Sequence, residues 1–291
     1  MPSVIQDKLI TYLRRQGLPI SMVDLLGWFY LQLADHLANR HQTGTPMLLG
    51  INGAQGSGKS TLSYILCMLL ESQFGLRSAT LSIDDLYLTK AERKALADEV
   101  HPLFITRGVP GTHDIALGNR ILDQVVAGQP VVLPRFDKQS DDRVPQEQWS
   151  EHEPLDLLIL EGWCVGCLPQ GGTVEPINRL EQEEDQDGYW RSYVNECLHG
   201  EYSSFYSRLH TLLMLVVPSM EKVFEWRELQ EQKLEQRQGC RGMTPAELQR
   251  FIMYYERLTK WMLQEMPPRA DILVPIGDDH NPMGLIIQNG G

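Results

Sequence analysis

The stretch "GINGAQGSGKST", residues 50–61, carries the pattern G-x-x-x-x-G-K-[ST] in full at Gly53, Gly58, Lys59 and Ser60. Glycines permit the tight turn that lets backbone N–H groups from Gly53 to Lys59 curl round an anion, and a helix starting there points its positive end at the same place. The pattern therefore predicts a phosphate-binding loop in which Gly53, Gln55, Gly56, Ser57, Gly58, Lys59, Ser60 and Thr61 hold a nucleotide. In that reading Lys59 reaches the β- and γ-phosphates, and the Ser60 hydroxyl serves Mg²⁺.

The flanks have the order such a loop requires. "MLLGIN" (47–52) is a short apolar run, and residues 60–74 read as a helix. Further apolar runs occur at "SATLSID" (78–84), "PVVLPRF" (130–136), "LDLLILEG" (155–162), "LHTLLMLVV" (209–217) and "ADILVPI" (270–276). Near-continuous apolar strands separated by helix-length segments predict an α/β fold with a parallel sheet buried on both faces. In such a sheet the strand C-termini gather at one edge, so acids after "ATLSI" and "LLIL" converge on the loop. Asp84 and Glu161 are the carboxylates that this arrangement offers beside Mg²⁺, while Asp85 reads as a turn residue.

Residues 1–43 predict a helical N-terminal extension packed on the core, because Val23, Leu26, Phe29, Tyr30, Leu33 and Leu37 form a stripe at three- and four-residue spacing. Residues 44–291 then form the nucleotide-binding domain. Within it, a helix capped by Ser219 runs toward Gly239, and Thr244, Pro245 and Glu247 form a capping box for the next. The two glycines of "GCRGM" make 219–243 a candidate helical lid. The acidic stretch "LEQEEDQDG" (180–188) reads as a solvated surface loop.

Composition excludes several classes of partner. With 26 Lys and Arg against 38 Asp and Glu, the formal charge of −12 disfavours nucleic acid and anionic membranes. No stretch approaches the roughly 18 apolar residues of a membrane span. The N-terminus lacks a signal-peptide run, and five cysteines in 291 residues are no disulfide framework, so a cytoplasmic location is expected. Cys164 and Cys167 form a lone C-x-x-C, which without a second pair reads as packing. There is no N-K-x-D guanine motif, which favours adenine.

Taken in order, "GAQGSGKST", "TLSIDDLYLT", "TRGVPGTHD", "LPRFDK", "LILEGW", "FEWRELQEQ", "GMTPAELQRFIMYYERL" and "DDHNP" resemble the D-glycerate 3-kinase family over roughly residues 46–283. That family is a branch of the P-loop small-molecule kinases that include uridine, pantothenate and phosphoribulose kinases. The resemblance implies a P-loop NTPase-type parallel sheet flanked by helices, with ATP and Mg²⁺ as cofactors and a small hydroxylated acid as acceptor. It assigns Asp84 to the acceptor's hydroxyl proton, Glu161 to Mg²⁺, Tyr87 and His113 to the acceptor pocket, and Arg227 to the mobile lid, with Arg237 and Arg241 as further lid candidates. Leu86 and Phe136 stand where Phe and Tyr are usual, and the family's "GRGDR" is shortened to Asp141, Asp142 and Arg143.

Phosphoryl transfer needs an aligned hydroxyl, cations on the transferring group and exclusion of water. Lys59, Asp84 and Arg227 are the catalytic candidates. Arg107, Arg135, Lys138 and Arg143 cluster by motif, and Arg135 or Arg143 is expected to bind the acceptor carboxylate, since a planar guanidinium suits it. His113 is a candidate donor to an acceptor hydroxyl, and Asp278 or His280 in "PIGDDHNP" a contact to the base. Competing readings are a kinase for pantothenate, a nucleoside or another sugar acid, and a non-catalytic ATP-binding regulatory protein.

Overall fold

Every residue of Met47–Gly53 and of Leu157–Gly162 is buried, a pattern that a strand shows only when both faces of its sheet are covered. The computed structural model describes residues 3–172, 175–238 and 243–288, with side chains from residue 4 onward except those of 230–238. In chain order the described helices are α1 (Ser3–Gln16), α2 (Leu31–Arg40), α3 (Lys59–Phe74), α4 (Lys90–Glu99), α5 (Ile115–Val126), α6 (Arg179–Glu184), α7 (Tyr189–Cys197), α8 (Ser203–Tyr206), α9 (Met220–Gln238) and α10 (Pro245–Glu265). The strands are β1 (Met47–Gly53), β2 (Ser78–Ser82), β3 (Val131–Leu133), β4 (Phe136–Asp137), β5 (Asp142–Arg143), β6 (Ser150–His152), β7 (Leu157–Gly162), β8 (Thr211–Val216), β9 (Ile272–Pro275) and β10 (Ile286–Ile287).

The main sheet has the order β10-β9-β8-β1-β7-β2. All neighbours pair in parallel except β10, which closes the β9 edge antiparallel. Alternate residues of the central strands feed two cores. Leu48, Leu158, Leu160 and Met214 face the side packed with α5, α7 and α10, while Leu49, Ile159, Leu213 and Val274 face α3 and the N-terminal helices. The product is a sheet between two helical layers, as the near-continuous apolar runs require.

Some elements depart from the sequence reading. The run at 130–136 does not join the parallel sheet. Instead, β3 pairs antiparallel with β6 and Val132 faces outward, while Pro134 separates it from the small β4–β5 hairpin. Within that hairpin Asp137 accepts N–H bonds from Gln139 and Ser140, and Asp141 takes a left-handed conformation at φ 57. The N-terminal stripe is buried as expected at Leu26, Phe29, Tyr30, Leu33 and Leu37, but over a broken path: a 3₁₀ turn at Ile20–Asp24, a π turn at Leu26–Tyr30, then α2.

The acidic stretch after residue 180 is not a solvated loop. Leu180, Glu181 and Asp185 are buried. Glu181 accepts two bonds from Arg257 of α10, at 2.7 and 2.5 Å, and Asp185 accepts from Arg191 at 2.8 Å. A carboxylate enters a core when a guanidinium meets it there, and the partner is invisible in a local charge count.

Candidate active site

The site grows from the carboxyl ends of β1, β2 and β7. After β1 the chain turns through Gly56 (φ 79) and Gly58 (φ 94), conformations that L side chains rarely adopt, and enters α3 at Lys59. The Lys59 ammonium donates to the Ala54 carbonyl at 3.1 Å. Burial pushes its pKa down, and the Glu161 and Asp84 carboxylates pull it back up, so both acids act on this lysine. Ser60 Oγ donates to Glu161 Oε1 at 2.9 Å. These residues meet because Glu161 lies in register with Ser82 of β2 and Ile51 of β1. Ser57 Oγ and Gln55 Nε2 are buried beside the turn without a partner among the described residues. Unpaired donors round a ring of backbone N–H groups fit an anion with several acceptor oxygens.

A cleft of about 640 Å³ opens from this loop. Part of its lining is the phosphate loop with the start of α3, and part comes from Tyr12, Gln16, Leu18 and Met22 of the N-terminal segment. Tyr12 stacks on Tyr64 at 3.7 Å between ring centroids and hydrogen-bonds Thr61, which anchors α1 to the first turn of α3. At the rim, Trp226 of α9 stacks on His280 at 3.9 Å. His280 Nε2 donates to the Gly56 carbonyl at 2.7 Å, so the residue expected at the base also touches the phosphate loop. Sequence reasoning missed Tyr12, Gln16 and Trp226. A stripe of aromatic and apolar residues on a helix signals packing, and only the tertiary arrangement turns part of it toward a cleft.

On the acceptor side, Asp84 follows β2 in a 3₁₀ turn whose start is capped by Ser82 Oγ. Burial alone would raise the Asp84 pKa, but the charge and hydrogen bond of Lys138, 2.7 Å away, hold it below the usual carboxylate range. The Tyr87 hydroxyl also bonds Asp84. His113 lies flat against Tyr87 with ring centroids 4.6 Å apart, and the two backbones form an isolated β-bridge. Arg143 donates to the Tyr87 carbonyl at 2.9 Å and to Asp114 at 3.3 Å. Asp84, Tyr87, His113, Lys138 and Arg143 thus form one connected group.

The remaining cations sit differently. Arg107 pairs with Asp141, beside the buried Arg93, and both guanidinium groups flank the Phe136 ring. Arg135 is the outlier: its side chain is 73% exposed and lies 3.9 Å from Asp85. Asp85 accepts the Phe136 N–H at 2.9 Å, and burial pushes its pKa up to about 6. Arg227 lies over the Phe251 ring at 5.2 Å, and its charge reaches Tyr255, as do those of Asp84 and Arg107. Arg241, with Gly239 and Gly242, and the side chain of Arg237 lie outside the described residues. Cys164 and Cys167 are buried, and burial pushes the Cys164 thiol up to about 12. No cluster of three or more His, Cys, Asp or Glu suited to a metal occurs among the described residues.

No protein-family model matches the chain. It is 33% identical over 223 residues to "Uncharacterized kinase mug58" of Schizosaccharomyces pombe, a match covering 73% of this chain and 79% of that protein. It is 30% identical over 226 residues to "Probable ATP-dependent kinase TDA10" of Saccharomyces cerevisiae, over 72% of this chain and 75% of the relative. The "D-glycerate 3-kinase, chloroplastic" of Arabidopsis thaliana matches at 27% over 258 residues, 82% of this chain and 54% of the plant protein. The chain belongs to the D-glycerate 3-kinase family of P-loop kinases. The solved structure of the D-glycerate 3-kinase from Cryptococcus neoformans has the same fold, with a TM-score of 0.71 at 24% identity over 89% of this chain and 97% of that one. As a member of this kinase family the chain is an ATP-dependent small-molecule kinase. Among its described residues no helix is long and apolar enough to cross a membrane.

Proposed function

We propose that this kinase transfers the γ-phosphoryl group of ATP to a hydroxyl of D-glycerate, giving 3-phospho-D-glycerate. The observation that carries the reading is the Asp84–Lys138 pair: a carboxylate held ionised beside the phosphate-binding lysine, by an ammonium that is itself largely exposed and can turn to an anionic acceptor. Two relatives or structural neighbours carry the name D-glycerate 3-kinase, which supports the same substrate class.

In this reading Asp84 orients the acceptor hydroxyl and takes its proton as the oxygen attacks phosphorus. Lys59 and the N–H groups of residues 53–59 neutralise the transferring phosphoryl group, and Arg227 adds a further cation from α9. Ser60 and Glu161 are hard oxygen donors of the kind Mg²⁺ takes, and they are the residues that would hold it. Bound there, Mg²⁺ would supply positive charge that offsets the charge of the phosphates. Lys138 and Arg143 supply the cationic side of the acceptor pocket. The structure supports Arg143 over Arg135 as the guanidinium nearest the carboxylate, because Arg143 is connected to Tyr87 whereas Arg135 is largely in solvent.

The test is ADP production by the purified chain with Mg-ATP and D-glycerate, L-glycerate, pantothenate, uridine or ribulose 5-phosphate. Saturable turnover of D-glycerate that collapses in Asp84→Asn is expected. Turnover confined to another acceptor overturns the substrate, and ATP binding with no phosphorylated product from any of them overturns the catalytic reading.

A further inference from the structure

We infer that Tyr202 is a positioning residue that locks His113 in its Nε2–H tautomer, so that the ring presents a neutral N–H donor to an oxygen of the phosphoryl acceptor. The inference rests on the proposed acceptor role of the connected group Asp84, Tyr87, His113, Lys138 and Arg143, not on the acceptor being glycerate.

The argument is a count of protons. Tyr202 is completely buried at the end of the π turn Leu198–Tyr202, and its hydroxyl lies 2.6 Å from His113 Nδ1. The Gly111 N–H donates to the same hydroxyl at 2.9 Å. A phenol has one proton to give. With Gly111 donating to the oxygen, that proton has Nδ1 as its one acceptor among the described residues, which leaves the imidazole's own proton on Nε2. The opposite tautomer would point two N–H groups at the phenol oxygen, strand the phenol proton, and leave Nε2 a bare acceptor. It therefore orphans two buried groups where the first orphans one.

That one orphan is His113 Nε2, buried and without a partner among the described residues. The ring cannot swing away to relieve it. Leu88 N–H bonds Thr112 O at 2.9 Å and Asp114 N–H bonds Leu86 O at 2.7 Å, which zips the 108–113 loop to the segment carrying Tyr87. The Thr112 hydroxyl stiffens the loop from inside, donating to Val109 O at 2.7 Å. The ring is stacked on the tyrosine that bonds Asp84, within reach of that acid's charge. Burial also lowers its pKa, so it does not compete as a cation for Asp84.

The test pairs a spectroscopic reading with kinetics on the full chain. ¹⁵N-histidine NMR, with the His113 signal assigned by its loss in His113→Gln, is expected to show protonated Nε2 in the wild type. In Tyr202→Phe the Nδ1 shift is expected to lose its hydrogen-bonded signature. The KM for whichever acceptor the panel identifies is expected to rise about tenfold in Tyr202→Phe, with ATP affinity unchanged. Glutamine needs no tautomer control, so adding Tyr202→Phe to His113→Gln is expected to raise KM no further. A protonated Nδ1 in the wild type overturns the inference, as does an equal KM rise from Tyr202→Phe in the His113→Gln background. If no acceptor is phosphorylated, the proposed function falls while the NMR result still decides the tautomer.

Discussion

The Lys138 ammonium lies 2.7 Å from Asp84 Oδ2, and it is this ammonium that does most to keep a half-buried carboxylate ionised. Asp84→Asn is expected to lower kcat by about 10²–10⁴-fold, with ATP affinity preserved in a nucleotide-binding titration. An unchanged kcat removes Asp84 as the base. Lys138→Met removes the largest influence that opposes burial, so the Asp84 pKa rises and the acid limb of the kcat/KM profile moves to higher pH. A limb that stays in place assigns it to another group.

Ser60 at the start of α3 and Glu161 at the end of β7 meet at 2.9 Å. If they hold Mg²⁺, Glu161→Gln raises the Mg²⁺ needed for half-maximal rate by about 10–100-fold. An unshifted Mg²⁺ titration with a lowered rate would place the cation elsewhere.

His113 gives stability a pH dependence of known sign. Burial lowers its pKa from the ordinary 6.5 to about 4, and the groups facing it are Tyr87, Tyr202 and the charge of Asp84. Between these values the unfolded chain binds the proton and the folded chain does not, so the contribution is complete above the ordinary pKa and is lost as pH falls. At pH 5 the loss relative to neutral pH amounts to about 2 kcal/mol. Urea unfolding at the two pH values is expected to show His113→Gln losing less stability than the wild type by that amount. Equal losses would mean that the histidine is solvated.

Glu181 and Arg257 tie α6 to α10 from inside the core. Glu181→Ala strands the buried guanidinium and is expected to cost about 3–5 kcal/mol. Replacing both partners together, Glu181→Leu with Arg257→Met, is expected to recover most of that in denaturant unfolding. A single substitution costing less than 1 kcal/mol would show that water reaches the pair.

What could be read before folding was whatever is encoded locally. The phosphate loop, the capping box at Thr244, and the strand ends that deliver Asp84 and Glu161 each depend on a few neighbouring residues, and each has the form expected. Features that depend on distant partners were not legible. Val131–Leu133 has the composition of a core strand, yet it pairs antiparallel with β6 outside the six-strand sheet, a partner the local sequence does not reveal. Glu181 looks like one acid in an acidic run until Arg257 comes into view. Tyr202 is an unremarked aromatic in the sequence, and only the approach of Gly111 and His113 to its hydroxyl sets it apart.

The cleft beside the phosphate loop draws its walls from residues 12–30 near one end of the chain and 274–282 near the other. Such a cavity has no existence in a nascent chain: it arises only after β9 has docked and the early helices have found their place against it. If the nucleotide occupies this cleft, its binding reports on a long-range closure of the chain, and by favouring the folded form it would act as a clasp between the two segments.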